Sequence, residues 1–307
     1  MYFAKKGIIF KWKTPNIWWN SHTMAPSAIF WNGNLRIYFG AWDKHPVSRI
    51  TYIDCDPADP GKILAIKDNE PVLDIGQDGS FDENGVFPGH VQVLDKKVFL
   101  YYTGFQLGSK VPHFNFGGLA LSDDGELFKR YSKAPVLDRS DEGLTVRAGQ
   151  SIIFDDNVYK TVYSAGSTFE RVGGKLRPRY DVYYQQSNDP FTFTSRGRLV
   201  AESNSEIEHG LGRPQIIKIK DFYYIFYTRR MKNMKYFLGA SKSNDCKTWV
   251  KDNHIFSEIF HSQKGFDSEM IYFPSVVYNP IMNKYLLFYC GNNFGETGIG
   301  YMELEND

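Results

Sequence analysis

Two glutamates stand at matching positions in parts of the sequence that are far apart. Glu83 and Glu269 each lie five residues before a proline that opens an apolar, aromatic-rich run, and His209 has the same position in a third segment. Cleavage of a glycosidic bond uses a pair of carboxyl groups, one to donate a proton and the other to act as base or nucleophile. The pattern therefore predicts chemistry on a sugar, with Glu83 and Glu269 as the acid–base pair.

Further acid–base groups flank the same positions. His22 lies four residues before the corresponding proline of the first segment and is a candidate base, while Asp82 is a further candidate carboxylate. The predicted catalytic residues are therefore Glu83, Glu269, His22 and Asp82. Two other interpretations stay open for them: contact with a ligand without catalysis, and ion pairs that tie neighbouring sheets together.

Arginines in two of these segments predict recognition of a charged or strongly polar ligand. Arg147 and Arg213 lie two residues and one residue before the repeated position, where other segments have small or apolar residues. A buried arginine needs an acidic partner or an anionic ligand, and the sequence allows both. Aromatic side chains near the same positions predict stacking on sugar rings. The predicted substrate-binding residues are Arg147, Arg213, His209, Asp267, Trp42 and Tyr272.

No short spacing of His, Cys, Asp or Glu indicates a metal site. His22, His90 and His209 are far apart in the chain, and nothing in their spacing supports joint coordination. The cysteines are few and odd in number, which argues against a disulfide framework: Cys55, Cys246 and Cys290. We expect no metal and no cofactor.

The elements that position these residues come from an internal repeat. Five segments combine a small residue or proline, an apolar run, a turn and an aromatic run, and their starts are 62, 61, 65 and 60 residues apart. They start at Pro26, Pro88, Gly149, Pro214 and Pro274. Each segment is typical of a β-hairpin, and a third strand and often a fourth follow.

Five units of three or four antiparallel strands predict an all-β fold, a five-bladed β-propeller, because a ring of sheets protects their edges. The last unit has only three strands, and a strand from Gly7 to Lys13 precedes the first unit. We expect this N-terminal strand to complete the last blade, so that residues 1–307 form a single domain. The segments before the repeated residues would then face the central funnel.

A second basic set falls between the second and third strands of the third and fourth units. Its members are Lys175, Arg177, Arg179, Arg229, Arg230, Lys232 and Lys235. Such loops usually carry solvated charge, and the alternative is an anion-binding rim suited to a phosphorylated or nucleotide-linked sugar. Both interpretations stay open.

Several segments together resemble a known superfamily over essentially the whole chain. They are SHTMAPS, FDENGVFPG, GRPQII, DSEMIYFPS and ALSDDGELFKRY. The resemblance is to the five-bladed β-propellers of the arabinanase/levansucrase/invertase superfamily, and more narrowly to glycosidase-like propellers associated with bacterial polysaccharide synthesis. It implies a glycoside hydrolase-like enzyme or glycosyl transferase with its acids in the funnel. The hydrolases have Asp beside the first repeated proline, where this chain has Ala25, so a non-catalytic sugar-binding propeller is the alternative.

Charge and hydropathy exclude other classes of protein. The 307 residues include 36 Lys and Arg against 35 Asp and Glu, a net charge of +1 that gives no global field for nucleic acid or an anionic membrane. The apolar run from Gly7 to Phe10 is too short for a signal peptide, and no later run approaches the length of a membrane span. We therefore expect a cytoplasmic protein whose partner is a carbohydrate or nucleotide-sugar ligand, without nucleic acid binding or membrane insertion.

Overall fold

The computed structural model describes residues 1–306, and antiparallel β-strands dominate it. Helical structure is limited to a 3₁₀ turn at Asn253–Phe256 and a single turn at Asn292–Gly295. Among the described residues, none of the helices has the length and apolar character needed to cross a membrane.

The chain begins with β1 (Tyr2–Phe10) and continues through five groups of strands. The first group is β2 (Ser21–Trp31), β3 (Asn34–Trp42), β4 (Ser48–Asp56) and β5 (Asp59–Ile66). The second is β6 (Val86–Leu94), β7 (Lys97–Leu107), β8 (His113–Ser122) and β9 (Lys129–Arg130). The third is β10 (Val146–Asp155), β11 (Val158–Val172), β12 (Lys175–Ser187) and β13 (Arg198–Ala201). The fourth is β14 (Glu208–Ile219), β15 (Phe222–Met231), β16 (Phe237–Ser243) and β17 (Val250–Lys251), and the fifth is β18 (Tyr272–Asn279), β19 (Lys284–Cys290) and β20 (Ile299–Glu305).

The strands form curled antiparallel sheets of four strands or a multiple of four. The first and fourth groups are separate four-stranded sheets, and β1 adds to the fifth group to make another. The second and third groups share one eight-stranded sheet. Its two antiparallel halves are joined only by a short parallel pairing, of Val146 with Asn115 and of Arg147 with Phe116.

The N-terminal strand pairs with the last strand of the chain, as predicted from the sequence. β1 runs antiparallel to β20, from Tyr2 opposite Glu305 to Phe10 opposite Ile299. Its bounds differ from the predicted Gly7 to Lys13, because the chain leaves the sheet after Phe10. There Trp12 stacks on Trp19 with ring centroids 3.7 Å apart, so aromatic packing takes the place of strand pairing.

The first strand of each group, which we call the inner strand, contacts the inner strands on either side. β2 contacts β6, β6 contacts β10, β10 contacts β14, β14 contacts β18, and β18 contacts β2. A hydrophobic cluster lies at each junction between neighbouring groups, so the core is divided among these junctions. One pair from each cluster is Ile50 with Leu100, Tyr101 with Ile152, Val162 with Ile225, Phe226 with Leu287, and Phe288 with Ile37.

Every inner strand has a register irregularity at the repeated small residue. The breaks lie between Met24 and Ser27, Pro88 and His90, Ala148 and Ser151, Gly212 and Gln215, and Tyr272 and Ser275. Four residues at these breaks have left-handed backbone, with φ of 55° at Ala25, 68° at Gly149, 45° at Arg213 and 58° at Phe273. Such bulges bend the strand and redirect the side chains that precede them.

These breaks correct the sequence alignment of the repeats. The residue after the break pairs with the second strand in the same way in each group, as with Ser27 opposite Tyr38 and His90 opposite Tyr101. Pro88 therefore corresponds to Ala25 and not to Pro26. The second and third repeats are shifted by one residue relative to the alignment expected from the prolines.

Candidate functional site

A cavity of about 310 Å³ lies where the five inner strands converge. Each of these strands contributes at least one lining residue. They include Met24, Phe87, Ala148, Arg213 and Phe273. The left-handed residues Arg213 and Phe273 are among them, so the bulges bring these side chains to the cavity.

The rest of the wall comes from the ends of second strands and the starts of third strands. Trp42 ends β3 and Ser48 begins β4, while Phe105 lies near the end of β7 and His113 begins β8. Because neighbouring strands are antiparallel, the start of a first strand, the end of a second and the start of a third lie at the same end of the sheet. These strand ends surround the cavity.

The hairpin of β11 and β12 is longer than the others and extends to the cavity. A register irregularity between Ala165 and Thr168 separates its outer part, residues 166–180, which we call the arm. Arg177 and Tyr180 of the arm line the cavity. The arm is fastened to a neighbouring group, since Lys232 lies 3.0 Å from the carboxylate of Glu170.

Aromatic rings form one side of the cavity, and they come from the first, second and fifth groups. The rings of Phe87 and Phe273 are 6.3 Å apart, and those of Trp42 and Phe294 are 6.4 Å apart, with both pairs nearly parallel. Phe105 stacks on His113 at 4.6 Å. Flat apolar faces of this kind are typical of small-molecule sites and suit the faces of sugar rings.

Basic side chains from the third and fourth groups also line the cavity. Arg177, Arg213 and Arg230 line the cavity, and no Asp or Glu among residues 1–306 does so. Arg230 is buried and donates to the carbonyl of Pro178 at 3.2 Å. Burial alone would lower the pKa of Arg230, but the hydroxyl of Tyr180 and a second tyrosine outweigh it and raise the pKa. Arg230 is therefore fully charged.

Arg213 occupies the centre of the fold. Its guanidinium donates to three backbone carbonyls of other groups, those of Pro88 at 2.9 Å, Pro274 at 3.0 Å and Pro26 at 2.6 Å. Burial lowers the pKa of Arg213 to about 9, so it remains a cation at neutral pH. Its hydrogen bonds hold three inner strands together, and its charge has no carboxylate partner within 4 Å among the described residues.

Three cavity residues have buried polar atoms without a hydrogen-bond partner. They are the Nε1 atom of Trp42, the Oγ atom of Ser48 and the Nδ1 atom of His113. Buried polar groups are nearly always hydrogen-bonded, so these atoms are available to a ligand or to water. Burial and the charge of Arg230 together lower the pKa of His113 to about 4, so the imidazole is neutral at pH 7.

Two of the predicted site residues, Trp42 and Arg213, line the cavity, and His22 touches one of them. The ring of His22 stacks on Trp42 with centroids 3.9 Å apart. Its Nδ1 atom is 2.8 Å from the Oγ atom of Ser21, and its Nε2 atom has no partner. Burial lowers the pKa of His22, so the ring is a neutral proton acceptor beside the aromatic side.

His209 and Tyr272 are buried behind the lining residues. The Nε2 atom of His209 is 3.0 Å from the hydroxyl of Tyr236, and burial lowers the pKa of His209 to about 3. Tyr272 packs edge-on against Phe294 at 5.5 Å, and its hydroxyl has no partner. Neither residue is part of the cavity wall.

Asp82 and Asp267, predicted to face the funnel, instead lie in matching ion pairs within the sheets. Asp82 binds Arg130 at 2.8 Å and accepts from the hydroxyl of Tyr102 at 3.0 Å. Asp267 is 2.7 Å from the amine of Lys5, and the hydroxyl of a second-strand tyrosine donates to it at 2.9 Å. Each carboxylate thus ties the segment before an inner strand to a cation and a tyrosine of the second strand.

Arg147 also lies in an ion pair and not at the cavity. Its Nε atom donates to Glu142 at 2.9 Å, and its other nitrogens donate to the carbonyls of Asp138 and Thr194. The correction of the alignment gives the reason, since Arg147 lies two residues earlier on its inner strand than Arg213 does on its own. The bulge falls between these two positions, and only the later one is redirected to the cavity.

Glu83 and Glu269 lie outside the cavity wall. Glu83 accepts from the backbone N–H of Gly79 at 2.6 Å and from Gln106 at 3.1 Å, and these bonds lower its pKa. Glu269 is exposed, and its backbone N–H donates to Asn292 at 2.8 Å. The structure does not bring the two carboxylates together at the convergence of the inner strands.

His113, Ser48 and Tyr180 were not predicted, because outside the segments before the inner strands only aromatic and basic side chains were considered, and these three carry no repeat position or charge cluster that marks them. These three residues lie in the third strands of their groups or at the start of them. Arg177 and Arg230 were identified from the sequence as members of the basic set with two open interpretations. Among residues 1–306, no group of three His, Cys, Asp or Glu side chains is arranged to hold a metal ion.

Comparison with known proteins shows similarity over the whole chain. No family model matches the sequence. The uncharacterised protein Rv1502 of Mycobacterium tuberculosis is 30% identical over 310 residues, which is 100% of both chains. A glycosyl hydrolase from Bacteroides ovatus superposes with a TM-score of 0.68 at 15% identity, over 93% of this chain and 85% of the other.

A second solved structure comes from the GH130 family of mannoside phosphorylases, which contains glycoside hydrolases that target β-1,2 mannosidic linkages in Candida mannan. It superposes with a TM-score of 0.70 at 15% identity, over 98% of this chain and 93% of the other. At this level of identity the likeness establishes the fold, which is that of the propeller-like glycosidases.

Proposed function

Since the chain belongs to the family of the mycobacterial protein Rv1502 and shares its fold with glycoside hydrolases, we propose that it is a carbohydrate-active enzyme. It cleaves or transfers a glycosyl unit in the cavity at the convergence of the inner strands. The observation that carries this proposal is the combination of parallel aromatic faces with unpaired donors and acceptors on Trp42, Ser48 and His113. A sugar presents both apolar ring faces and hydroxyl groups, so it satisfies both features at once.

The proposal includes a single five-bladed propeller domain over residues 1–307. The closed cycle of contacts between inner strands supports it, and so does the hydrophobic cluster at each junction. The eight-stranded sheet then counts as two blades, because only the pairings of Val146 and Arg147 join its halves. Asp307 lies outside the described residues.

We assign proton transfer to His22 and not to a pair of carboxylates. Among the predicted catalytic residues, Asp82 is held by Arg130, while Glu83 and Glu269 do not line the cavity. His22 does not line the cavity itself, but its ring stacks on the lining residue Trp42, is neutral and has an unpaired Nε2 atom. It accepts the proton of an attacking hydroxyl while the oxygen of that hydroxyl bonds to the anomeric carbon, and the bond from that carbon to the leaving oxygen breaks with its electron pair on the leaving group.

Binding and turnover on a defined panel test this function. The panel consists of nitrophenyl glycosides, free hexoses and nucleotide sugars, with binding followed by calorimetry and products by mass spectrometry. We expect Trp42→Ala to weaken sugar binding by about ten-fold or more, because stacking and a hydrogen bond are lost together. Trp249→Ala is the matched control, since Trp249 is a partly buried tryptophan outside the cavity.

Three results bear on the proposal in different ways. Product formation that depends on Trp42 and His22 supports it. Tight binding without any product would make the chain a sugar-binding propeller and contradict the enzymatic part. Equal effects of the Trp42 and Trp249 variants would remove the cavity from the function. A role in polysaccharide synthesis, predicted from the sequence, becomes testable once a glycosyl donor or acceptor is identified on this panel.

A further inference from the structure

The cavity wall combines aromatic rings with a set of cations that no acidic lining residue balances. Arg177, Arg213 and Arg230 line it, and no acidic residue among those described faces them across the wall. The chain as a whole is nearly neutral, with a net charge of +1. The cavity wall therefore has a local excess of positive charge that the chain as a whole does not have, and its apolar surroundings strengthen the field.

Other buried arginines of this chain are paired with carboxylates. Arg36 is 2.7 Å from Asp54, and Arg147 is 2.9 Å from Glu142, and both arginines are more than nine-tenths buried. Arg230 is buried to the same degree, at 7% exposure, but has no carboxylate within 4 Å. Arg230 has neutral partners, the carbonyl of Pro178 and tyrosine hydroxyls, but no countercharge, so the exception at the cavity points to an anion supplied by a ligand.

Two other lining residues, Arg177 and His113, have polar atoms available for such an anion. Arg177 uses its Nε atom for the carbonyl of Val172, at 3.3 Å, and leaves its two terminal nitrogens without a partner among residues 1–306. His113 is close enough to Arg230 to be affected by its charge, and its Nδ1 atom is unpaired. Two guanidinium forks and an imidazole suit a phosphoryl group, whose oxygens accept several hydrogen bonds at once.

Resting on the proposed function, we propose that the sugar ligand carries a phosphoryl group that binds between Arg177 and Arg230, beside His113. The sugar ring then lies against the aromatic side at Trp42 and Phe105. The cavity volume of about 310 Å³ is at the lower end of the range for small-molecule sites, which suits one sugar unit with its phosphoryl group.

This ligand explains how glycosyl transfer proceeds without a carboxylate in the cavity wall. The bond between the anomeric carbon and the phosphate oxygen breaks, and its electron pair leaves with the phosphate. Arg177 and Arg230 neutralise the charge that develops, so the leaving group needs no proton from a side chain. The hydroxyl of the acceptor forms the new bond to the anomeric carbon and gives its proton to His22.

Isothermal titration calorimetry with matched probes tests the phosphoryl site. The probes are inorganic phosphate, D-mannose and D-glucose, their 1-phosphates, and the nucleotide sugars GDP-mannose and UDP-glucose. Arg177→Ala is the main variant because Arg177 is half-buried and outside the core. Arg171→Ala is its control, since Arg171 is an exposed arginine of the same arm that does not line the cavity. Arg230→Lys keeps the charge but removes the fork.

We expect the wild-type protein to bind at least one phosphorylated probe ten-fold or more tighter than the matching neutral sugar. Arg177→Ala and Arg230→Lys should each weaken that probe by about ten-fold, as expected for a lost charge-assisted hydrogen bond, while Arg171→Ala should not. Unchanged binding of every phosphorylated probe in Arg177→Ala, with an unchanged melting temperature, would overturn the inference.

The arms of the experiment separate this inference from the proposed function. Neutral sugars that bind through Trp42 without any gain from the phosphoryl group would overturn the phosphoryl site and keep the proposed function. Inorganic phosphate that binds through Arg177, with no sugar contribution from any probe, would keep the anion site and overturn the carbohydrate function. A preference for the 1-phosphate over the nucleotide sugar, or the reverse, identifies the source of the phosphoryl group.

Discussion

The guanidinium of Arg213 donates a hydrogen bond of 2.9 Å to the carbonyl oxygen of Pro88, which belongs to a different sheet. The same guanidinium reaches Pro274 and Pro26, so one side chain joins four inner strands, including its own, at the cavity floor. Its left-handed backbone, with φ of 45°, directs the side chain there. Arg213 therefore both stabilises the ring of inner strands and contributes charge to the site.

Replacing Arg213 tests its structural role. Arg213→Met leaves three buried carbonyls without donors, and we expect the free energy of unfolding to fall by about 3 kcal/mol or more. Arg213→Lys keeps the charge and one or two of the hydrogen bonds, so the free energy of unfolding should fall by less than in Arg213→Met. Urea unfolding followed by circular dichroism measures both. An Arg213→Met protein as stable as the wild type would show that these hydrogen bonds do not hold the ring.

Asp82 offers a test of structure against catalysis. Its buried carboxylate is bound to Arg130, so Asp82→Asn should reduce the free energy of unfolding by about 2–4 kcal/mol. Ligand affinity measured below the melting temperature should stay within about two-fold of the wild type, because Asp82 does not line the cavity. Asp123→Asn is the control, since that carboxylate is 84% exposed and its pair with Lys97 contributes little. Lost turnover with unchanged stability would return Asp82 to the catalytic set.

Substitutions and the pH dependence of turnover distinguish the roles of His22 and Glu83. His22→Gln should lower turnover by about 10²-fold or more, as expected for a lost general base, whereas Glu83→Gln should stay within about two-fold. Since burial places the pKa of His22 below 6.5, wild-type activity should be constant near neutrality and decline only in more acidic buffer. Steady-state rates across this range provide the measurement. A large loss in Glu83→Gln with an active His22→Gln would reinstate the carboxylate mechanism.

Two buried histidines predict loss of stability on acidification. Burial lowers the pKa of His90 and of His209 to about 3, whereas both have a pKa near 6.5 when unfolded. Between these values the unfolded chain binds more protons, so stability is fully present above about pH 6.5 and falls as pH decreases. The expected slope is up to about 1.4 kcal/mol per pH unit for each histidine.

The slope can be assigned by mutation. His90→Gln should make the free energy of unfolding less dependent on pH between 6.5 and 4, and His45→Gln, at an exposed position, should not. Urea midpoints at pH 7, 6 and 5 provide the measurement. Equal slopes for all three proteins would mean that other groups dominate the acid response.

The repeat spacing and the aromatic alternation predicted the strands and the pairing of the N-terminal strand with the last one. Both depend on local patterns, which a sequence shows directly. The positions of the bulges were not predictable from the prolines. Pro88 of the second repeat corresponds to Ala25, and so it lies one residue earlier relative to its bulge than Pro26 does. The same shift in the third repeat, at Gly149, places Arg147 two residues, and not one, before the position that Arg213 occupies in its own repeat. Arg147 therefore lies in an ion pair with Glu142, whereas Arg213 reaches the cavity.

The remaining part of the site depends on contacts between distant segments. His113 and Arg230 come from different repeats and meet only after the sheets have packed. The acids beside the inner strands looked catalytic because their partners, such as Arg130 for Asp82, are 48 residues away in the chain. A single sequence gives no signal for such pairings.

A crystal structure of the protein soaked with mannose 1-phosphate or glucose 1-phosphate, at concentrations that saturate binding in solution, would locate the ligand. We expect one sugar unit in the cavity, with its ring against Trp42 and its phosphoryl group within hydrogen-bonding distance of Arg177 and Arg230. A ligand held on the outer surface of the sheets, with the cavity filled only by water, would contradict this expectation.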